Sequence, residues 1–377
     1  MSIGTPVITG IGLVTALGTD AAQTWESLLA GRFIEEHAKV PLEFPGGLPR
    51  VSSLAIRAAR EATVGIDLSD AAMVVGTSKG PVESWLAAPS RAPDLGRPVR
   101  LGLATVAADL AKDLSLHGPR LTLSAACASG LYALIRGAML IRSGEARRVL
   151  VVAAEASIHP IFLASFSRLG VVPPAGFGCR PFDQNRSGFL MSEAAAAIVL
   201  EAANRRPGEI AIERFAIGAD ASHLTGMDPN TRSLRHVLAN VLADDPIDLM
   251  HAHGTGTALN DKLELAALDD LVPPSSPPLI VYSHKGALGH SLGAAGLVSV
   301  VLNVLAHRTG KVPGNVRTAN PLPARRLQLP AAAIRRRVRR SVAVAAGFGG
   351  AIAAVTLTDP ADQPDQWTAE PAGSPQP

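Results

Sequence analysis

Short apolar runs alternate along the chain with longer segments that carry one apolar face. Runs rich in β-branched residues, Ala and Gly, bounded by turn residues, fall at 7–14, 72–77, 121–126, 148–154 and 195–201. They recur at 209–218, 248–253, 279–283, 342–346 and 352–358. Their length predicts strands, and the scarcity of polar alternation predicts sheets covered on both faces. The run at 121–126 shows no polar alternation after Ser124 and reads as a central strand. Helical periodicity fills the gaps at 21–30, 51–62, 102–114, 129–142, 232–242, 262–271 and 291–307. Strands alternating with helices predict an α/β fold of stacked layers. Segments 33–47 and 89–98 are rich in Pro, Gly and charge and read as surface loops, with 273–278 as a further connection. Residues 359–377 form a Pro-rich tail whose composition predicts disorder.

Composition narrows the class. Apolar residues make up 47% and charged residues 18% of 377 positions, enough for a large core and too apolar for general disorder. Aromatics are only 4%, so that core must be mostly Ala, Val, Leu and Ile. The charge sum, 35 basic minus 32 acidic residues, is +3. Seven Arg lie between Arg325 and Arg340 without interleaved aromatics or a recognisable module, which argues against nucleic acid. The run reads as a solvated basic surface, with docking of an acidic protein as the alternative. Two cysteines without CxxC spacing point to a reducing compartment, and the N-terminus lacks a signal-peptide pattern. The uncharged stretch 286–306 is long enough to raise a membrane question. Its glycines, His290 and Asn303 predict a buried helix instead, and the expected location is the cytoplasm.

Candidate chemistry gathers at three places. Cys127, in LTLSAACASGLYALIRGAML, stands between a strand and a helix start, with small residues on both sides. A helix N-terminus there favours the thiolate; the alternative is a buried structural thiol, the reading given to Cys179. In DLMHAHGTGTALND a strand would set His251 and His253 on one face, with a Gly–Thr loop following. In VYSHKGALGHSLGAAG a strand ends at Lys285 and a Gly-rich turn leads through His290 into a helix. A thiol with two imidazoles suits nucleophilic and acid–base chemistry. A metal set of His251, His253, His290 and Asp261 is the less favoured alternative.

These motifs resemble those of the β-ketoacyl–acyl carrier protein synthases, from about Val7 to Leu357. Cys127 in SAACASG matches the family's nucleophile and His253 in HGTGT its first histidine. Lys285 and His290 in HKGALGHSLGAAG match its lysine and second histidine, and Phe348 in GFGG its gating phenylalanine. CRPFDQNRSGF resembles a further signature. The paired histidines are similar to the branch that elongates carrier-bound chains. The stretch before Cys127 is shorter than in typical members, and Ala351 and Ile352 follow GFGG where the family carries Thr and Asn.

The resemblance implies a thiolase-like αβαβα fold of two similar halves. Residues 1–204 would carry the nucleophile and 205–358 both histidines and the lysine. It implies decarboxylative Claisen condensation of a Cys127-bound acyl group with a malonyl thioester, in fatty-acid or polyketide synthesis. Cys127 and Phe348 would supply the oxyanion hole, Thr255 and Thr257 would hold the pantetheine arm, and Phe166 would be a second gating aromatic. Asp261 and Glu264 would order Lys285. No metal or other cofactor is implied beyond the phosphopantetheine arm of an acyl carrier protein, for which Arg168 and the 325–340 cluster are docking candidates. A homodimer is implied, with a heterodimer with a ketosynthase-like subunit as the alternative. Alternative activities are a noncatalytic partner subunit, and a decarboxylase or acyltransferase using the same residues.

Overall fold

The structure, a computed structural model, describes residues 4–44, 47–86, 101–203, 209–242, 246–273 and 278–359. The first half contributes β1 (Thr5–Thr15), β2 (Ala72–Gly76), β3 (Arg120–Leu123), β4 (Arg148–Glu155) and β5 (Ala194–Ala203). Its helices are α1 (Ala21–Leu29), α2 (Arg50–Ala62), α3 (Val82–Leu86), α4 (Ala104–Asp113), α5 (Ser129–Arg142) and α6 (Pro160–Arg168). The second half has β6 (Ala211–Ala219), β7 (Leu249–His251), β8 (Leu279–Tyr282), β12 (Arg340–Ala346) and β13 (Ala351–Thr358). Its helices are α7 (Arg232–Leu242), α8 (Ala258–Leu271), α9 (Lys285–Leu288) and α10 (Ala295–Thr309). The two-residue strands β9 (Lys311–Val312), β10 (Leu327–Gln328) and β11 (Ile334–Arg335) complete the set.

Sheet order reveals a repeat that the sequence hides. Strands run β10-β8-β7-β12-β13-β6-β1-β5-β4-β2-β3. From the β1–β6 junction outward, each half presents its first, last, fourth, second and third long strand. In each, the last long strand is antiparallel to both neighbours, while the outer pairs are parallel.

Period-two alternation then sends successive side chains into different cores. Ala196, Ile198, Ala343 and Ala345 face a middle layer with α5 and α10. Ala195, Ala197 and Val199 turn outward to α2 and α4, and Val342 and Val344 to α7 and α8. The result is an αβαβα stack. The uncharged stretch that raised the membrane question forms α10, mostly buried in the middle layer.

Small residues let the two middle helices approach closely. A Cβ on Gly130 would meet the Leu297 nitrogen at 2.8 Å, and one on Gly296 would meet Leu131 Cγ at 2.8 Å. This contact brings the start of α5, which follows Cys127, against the start of α10, which follows His290.

Two sequence expectations are corrected. The strand predicted at 121–126 is β3, half-buried and, among the described residues, an edge strand paired only with β2. An apolar run cannot by itself distinguish a central strand from an edge that another body covers. Segment 33–47 is not simply a surface loop. Ile34 and Val40 are buried, and Ile34 N–H donates to Ala287 O at 2.9 Å while Ala38 N–H donates to Met191 O at 3.1 Å. The loop predicted at 89–98, most of 273–278 and the tail from 360 lie outside the described residues, as does the expected boundary after 204.

Gly296→Val forces a branched side chain into the α5–α10 contact. We expect a loss of about 3 kcal/mol, read as a lower midpoint in urea unfolding.

Candidate active site

The two halves meet chemically around one cavity of about 380 Å³. Cys127, Phe166, Phe189, His253, Thr255, Thr257, His290 and Phe348 all line it.

Cys127 sits where β3 has ended and α5 is about to begin. Ala126 before it has φ +47°, a left-handed turn that costs a non-glycine residue energy and reverses the chain sharply. The turn is held from within: the Ala125 N–H donates to Ser129 Oγ at 2.9 Å, and that hydroxyl donates to Ala126 O at 2.6 Å. Phe348 lies in the β12–β13 hairpin, which needs glycine at position 350. Its φ is +84°, and a Cβ would lie 1.7 Å from Asp220 O. Neither the Cys127 nor the Phe348 backbone N–H has an acceptor among the described residues.

The HGTGT loop hangs on two carboxylates of α8. Glu264 accepts from the His253 and Gly254 N–H groups at 2.6 and 2.8 Å. Asp261 accepts from the N–H groups of Phe182, Thr255 and Gly256 at 2.7 to 3.1 Å. The Thr255 and Thr257 hydroxyls hydrogen-bond to each other at 2.9 Å on the cavity wall.

Lys285 is not on that wall. It is 1% exposed, opens α9 rather than ending a strand, and its Nζ donates to the His253 carbonyl. Burial pulls its ammonium below the usual lysine range, opposed by the charge of Glu264. Burial likewise pushes Glu264 up. The ammonium thus sits behind His253, held by that residue's carbonyl and within the influence of the Glu264 charge.

Burial holds His253 and His290 well below the ordinary imidazole range, and the positive charge of Lys285 adds to the effect. Both rings are neutral at pH 7. Their centroids are 5.6 Å apart with planes at 81°. Both Nδ1 atoms are enclosed without partners, so the Nε2 atoms are the ones that reach the cavity. Phe189 stacks edge-on against His290 at 5.0 Å, and Phe166 lies between Phe189 at 5.5 Å and Phe348 at 6.3 Å.

Other expectations are corrected. Burial pushes the Cys127 thiol up to about 11, against the thiolate that a helix start favours; Lys285 pulls it down, and Glu155 adds to the rise. His251 and His253 do not share a strand face, because β7 stops at His251. His251 points away, to Asn303 and His284. The alternative metal set is therefore not assembled, and no group of three His, Cys, Asp or Glu among the described residues is arranged to hold a metal ion. Cys179 is buried, with its Sγ 3.5 Å from Thr255 O, in keeping with a structural thiol.

The Arg325–Arg340 run is largely engaged within the fold. Arg325 pairs with Asp269 and Asp270, Arg336 with Asp248, and Arg340 with Glu213. Asp269 is eleven residues beyond Ala258 at the cavity rim, about 16 Å along α8, so this end of the run lies away from the cavity. Arg168 does lie near the rim, beside Leu169.

Sequence reasoning missed Glu155. This buried carboxylate at the end of β4 accepts from Ser78 N–H and Oγ at 2.9 and 2.6 Å and from Gly293 N–H at 3.2 Å. The signal was a lone acid closing an apolar strand. Phe189 and helix α6, hidden in a short apolar run, were missed as well.

Residues 50–206 match the family model of the β-ketoacyl synthase N-terminal domain, and 210–319 match that of its C-terminal domain. The chain belongs to the β-ketoacyl synthase family. It is 34% identical to the tetracenomycin polyketide synthase ketoacyl synthase alpha subunit of Streptomyces glaucescens, over 68% of this chain and 64% of that protein. The match thus spans just under two thirds of that relative's length. It is 30% identical to the 3-oxoacyl-[acyl-carrier-protein] synthase 2 of Mycobacterium tuberculosis, over 91% of this chain and 94% of that one. The ishigamide ketosynthase/chain length factor superposes with a TM-score of 0.81 at 27% identity, covering 95% of this chain and 99% of the other. Such neighbours have the thiolase-like fold.

A thiol pushed up to about 11 is mostly protonated at pH 7. We expect Cys127 alkylation by iodoacetamide to climb steadily from pH 7 to 10, and Lys285→Met, which removes the cation pulling the thiol down, to be slower throughout. A plateau reached by pH 7 would contradict this.

Proposed function

We propose that the chain is a β-ketoacyl synthase that condenses a Cys127-bound acyl group with a malonyl thioester on an acyl carrier protein. The observation that carries the reading is the convergence of a thiol, two neutral imidazoles and two unengaged backbone N–H groups on one cavity.

In the first step Cys127 sulfur attacks the acyl thioester carbonyl. The new C–S bond forms as the pantetheine C–S bond breaks, and the thiol proton leaves with the departing thiol. The Cys127 and Phe348 N–H groups stabilise the oxyanion, whose charge develops only in the transition state. Malonyl thioester then occupies the vacated arm site, with Thr255 and Thr257 as hydrogen-bonding partners for the pantetheine. His253 and His290 donate from Nε2–H to its thioester carbonyl. Because both rings are neutral, they act as hydrogen-bond donors rather than acids. The C–C bond to the carboxylate breaks, carbon dioxide departs, and the electron pair is held as an enolate. Its carbon attacks the acyl-cysteine carbonyl, the Cys127 C–S bond breaks, and the sulfur takes up a proton. The chain is two carbons longer.

Lys285 acts from behind the wall. Its charge adds to burial in keeping both rings neutral, and its hydrogen bond fixes the His253 backbone. Phe166 and Phe348 stand together where an acyl chain would enter, which supports a gating role. No cofactor is required beyond the carrier's pantetheine arm, and we assign the reaction to the cytoplasm.

The partners follow from surface features. Leu169 and Leu259 are about half exposed at the cavity rim, with Arg168 adjoining them. This apolar and basic rim suits the acidic carrier protein. The free, half-buried edge of β3 suits strand pairing with a second ketosynthase-like chain, either a copy of this one or a partner subunit.

Intact-mass spectrometry after mixing the protein with acyl-carrier thioesters tests the reading. The expected result is an acyl mass increase on the native protein, absent from Cys127→Ala. No adduct with any donor would favour a noncatalytic partner subunit. Arg168→Glu should weaken carrier binding and flatten its salt dependence.

A further inference from the structure

Behind the cavity, the middle layer holds a second histidine pair with no part in the chemistry above. His251, at the end of β7, and His284, just past the end of β8, are both buried, and His251 Nε2 lies 2.9 Å from His284 Nδ1. His251 Nδ1 lies 3.0 Å from Asn303 Oδ1 on α10. We propose that His251 and His284 are positioning residues, a neutral imidazole pair locked in one tautomer that registers the strand ends delivering His253 and Lys285. The proposal rests on the condensing reading above.

Hydrogen-bond bookkeeping fixes the protons. Asn303 Nδ2 donates to the Val342 carbonyl at 3.3 Å, and the flipped amide would set two oxygens against each other. Asn303 Oδ1 is therefore an acceptor, so His251 Nδ1 carries the hydrogen. A neutral His251 then has a lone pair at Nε2, and His284 must donate from Nδ1. Ser299 Oγ donates to Ala295 O, so at 3.5 Å from His284 Nδ1 it can only accept, a long second acceptor that agrees with a hydrogen on that nitrogen. His284 Nε2 is left as an enclosed lone pair without a partner. Every bond in the chain points one way, from His284 through His251 and Asn303 to the amide, while Val342 O receives the last proton.

The placement ties this lock to the site. β7 and β8 are already paired through His251 and Tyr282. The imidazole bond extends that pairing beyond the strand ends, where the ladder has stopped and the catalytic loops begin. His253 is two residues after His251, and Lys285 directly follows His284. His284 O also accepts from the Ala287 and Leu288 N–H groups, at 3.0 and 2.8 Å, starting the turn that leads to His290. A slack His284 would loosen Lys285 and His290 together while leaving the Cys127 elbow, held by Ser129, intact.

The test separates the two half-reactions. Asn places an amide nitrogen where His Nδ1 stands, so His284→Asn keeps the donor, whereas His284→Leu removes it. His284→Leu is expected to slow malonyl decarboxylation by about 10- to 100-fold while Cys127 acylation changes by less than about threefold, with His284→Asn near wild type. In ¹⁵N-histidine spectra at pH 7, His251 and His284 should both appear as neutral Nδ1–H tautomers. Unchanged decarboxylation in His284→Leu, equal loss of both half-reactions in a folded variant, or failure of His284→Asn to rescue would overturn the proposal. So would an Nε2–H tautomer at either ring. If His284→Leu does not fold, the His284→Asn rates and the spectra still decide. Wild-type protein that neither acylates nor decarboxylates would instead overturn the condensing reading, leaving the tautomers to judge the lock.

Discussion

One buried ammonium organises the second half of the molecule. Lys285 is out of contact with water, and removing a charge from water is tolerated only where hydrogen bonds and opposite charge replace hydration. The replacements here are the His253 carbonyl and the carboxylate of Glu264. Each is also part of the site. The carbonyl belongs to the residue whose ring lines the cavity, and the carboxylate grips that residue's N–H. Satisfying the lysine and placing the histidine are therefore one arrangement. The same charge reaches the neighbouring rings and the thiol with opposite consequences: it discourages protonation of His253 and His290, and favours ionisation of Cys127. Burial is the larger effect on each, so the lysine tunes a balance that the dry interior sets.

The loop that carries His253 is rigid for an unusual reason. Five consecutive residues, two of them glycine, would be mobile if they were held only by their ends. Instead four of their N–H groups point at two carboxylates from the helix that follows. An N-terminal helix turn ordinarily accepts negative charge from outside; here the helix supplies it, backward, to the loop before it. What this loop offers the cavity is then confined to hydroxyls and an imidazole, because its backbone donors from His253 to Gly256 are already used.

The sequence was most legible where physics is local. Short apolar runs bounded by turn residues and apolar helix faces located nearly all the long elements, since burial on both faces leaves these strands almost wholly apolar. Cys127, His253, Thr255, Thr257, His290 and Phe348 reach one cavity because each sits at a strand end or loop that motif spacing marks, whereas Phe166 reaches it from within α6. Long-range pairing was not legible. Nothing near His251 announces that β7 ends there, so a shared face with His253 looked reasonable until Asn303 and His284 were seen to take its ring. Arg325 to Arg340 looked like a basic patch because their acids lie 55 to 127 positions away in Asp269, Asp270, Asp248 and Glu213. Glu155 is the same failure reversed: besides the nearby Ser157, its donors come from two other segments, so a strand-end acid gave no hint of a role.

A site assembled from two halves needs those halves at fixed distance, and here small residues set it. The Cys127 turn opens α5 and the turn after His290 opens α10. These helices touch at Gly130 against Leu297 and at Gly296 against Leu131, where a methyl group on either glycine would already be too much. Glu155 joins the two turns by a different route, accepting from Ser78 beside the first and from Gly293 within the second. A core of larger side chains would pack equally dry but hold the helices further apart. The low aromatic content and the many Ala and Gly positions, which at first suggest only a generic core, are thus the condition for thiol and imidazole to share one cavity.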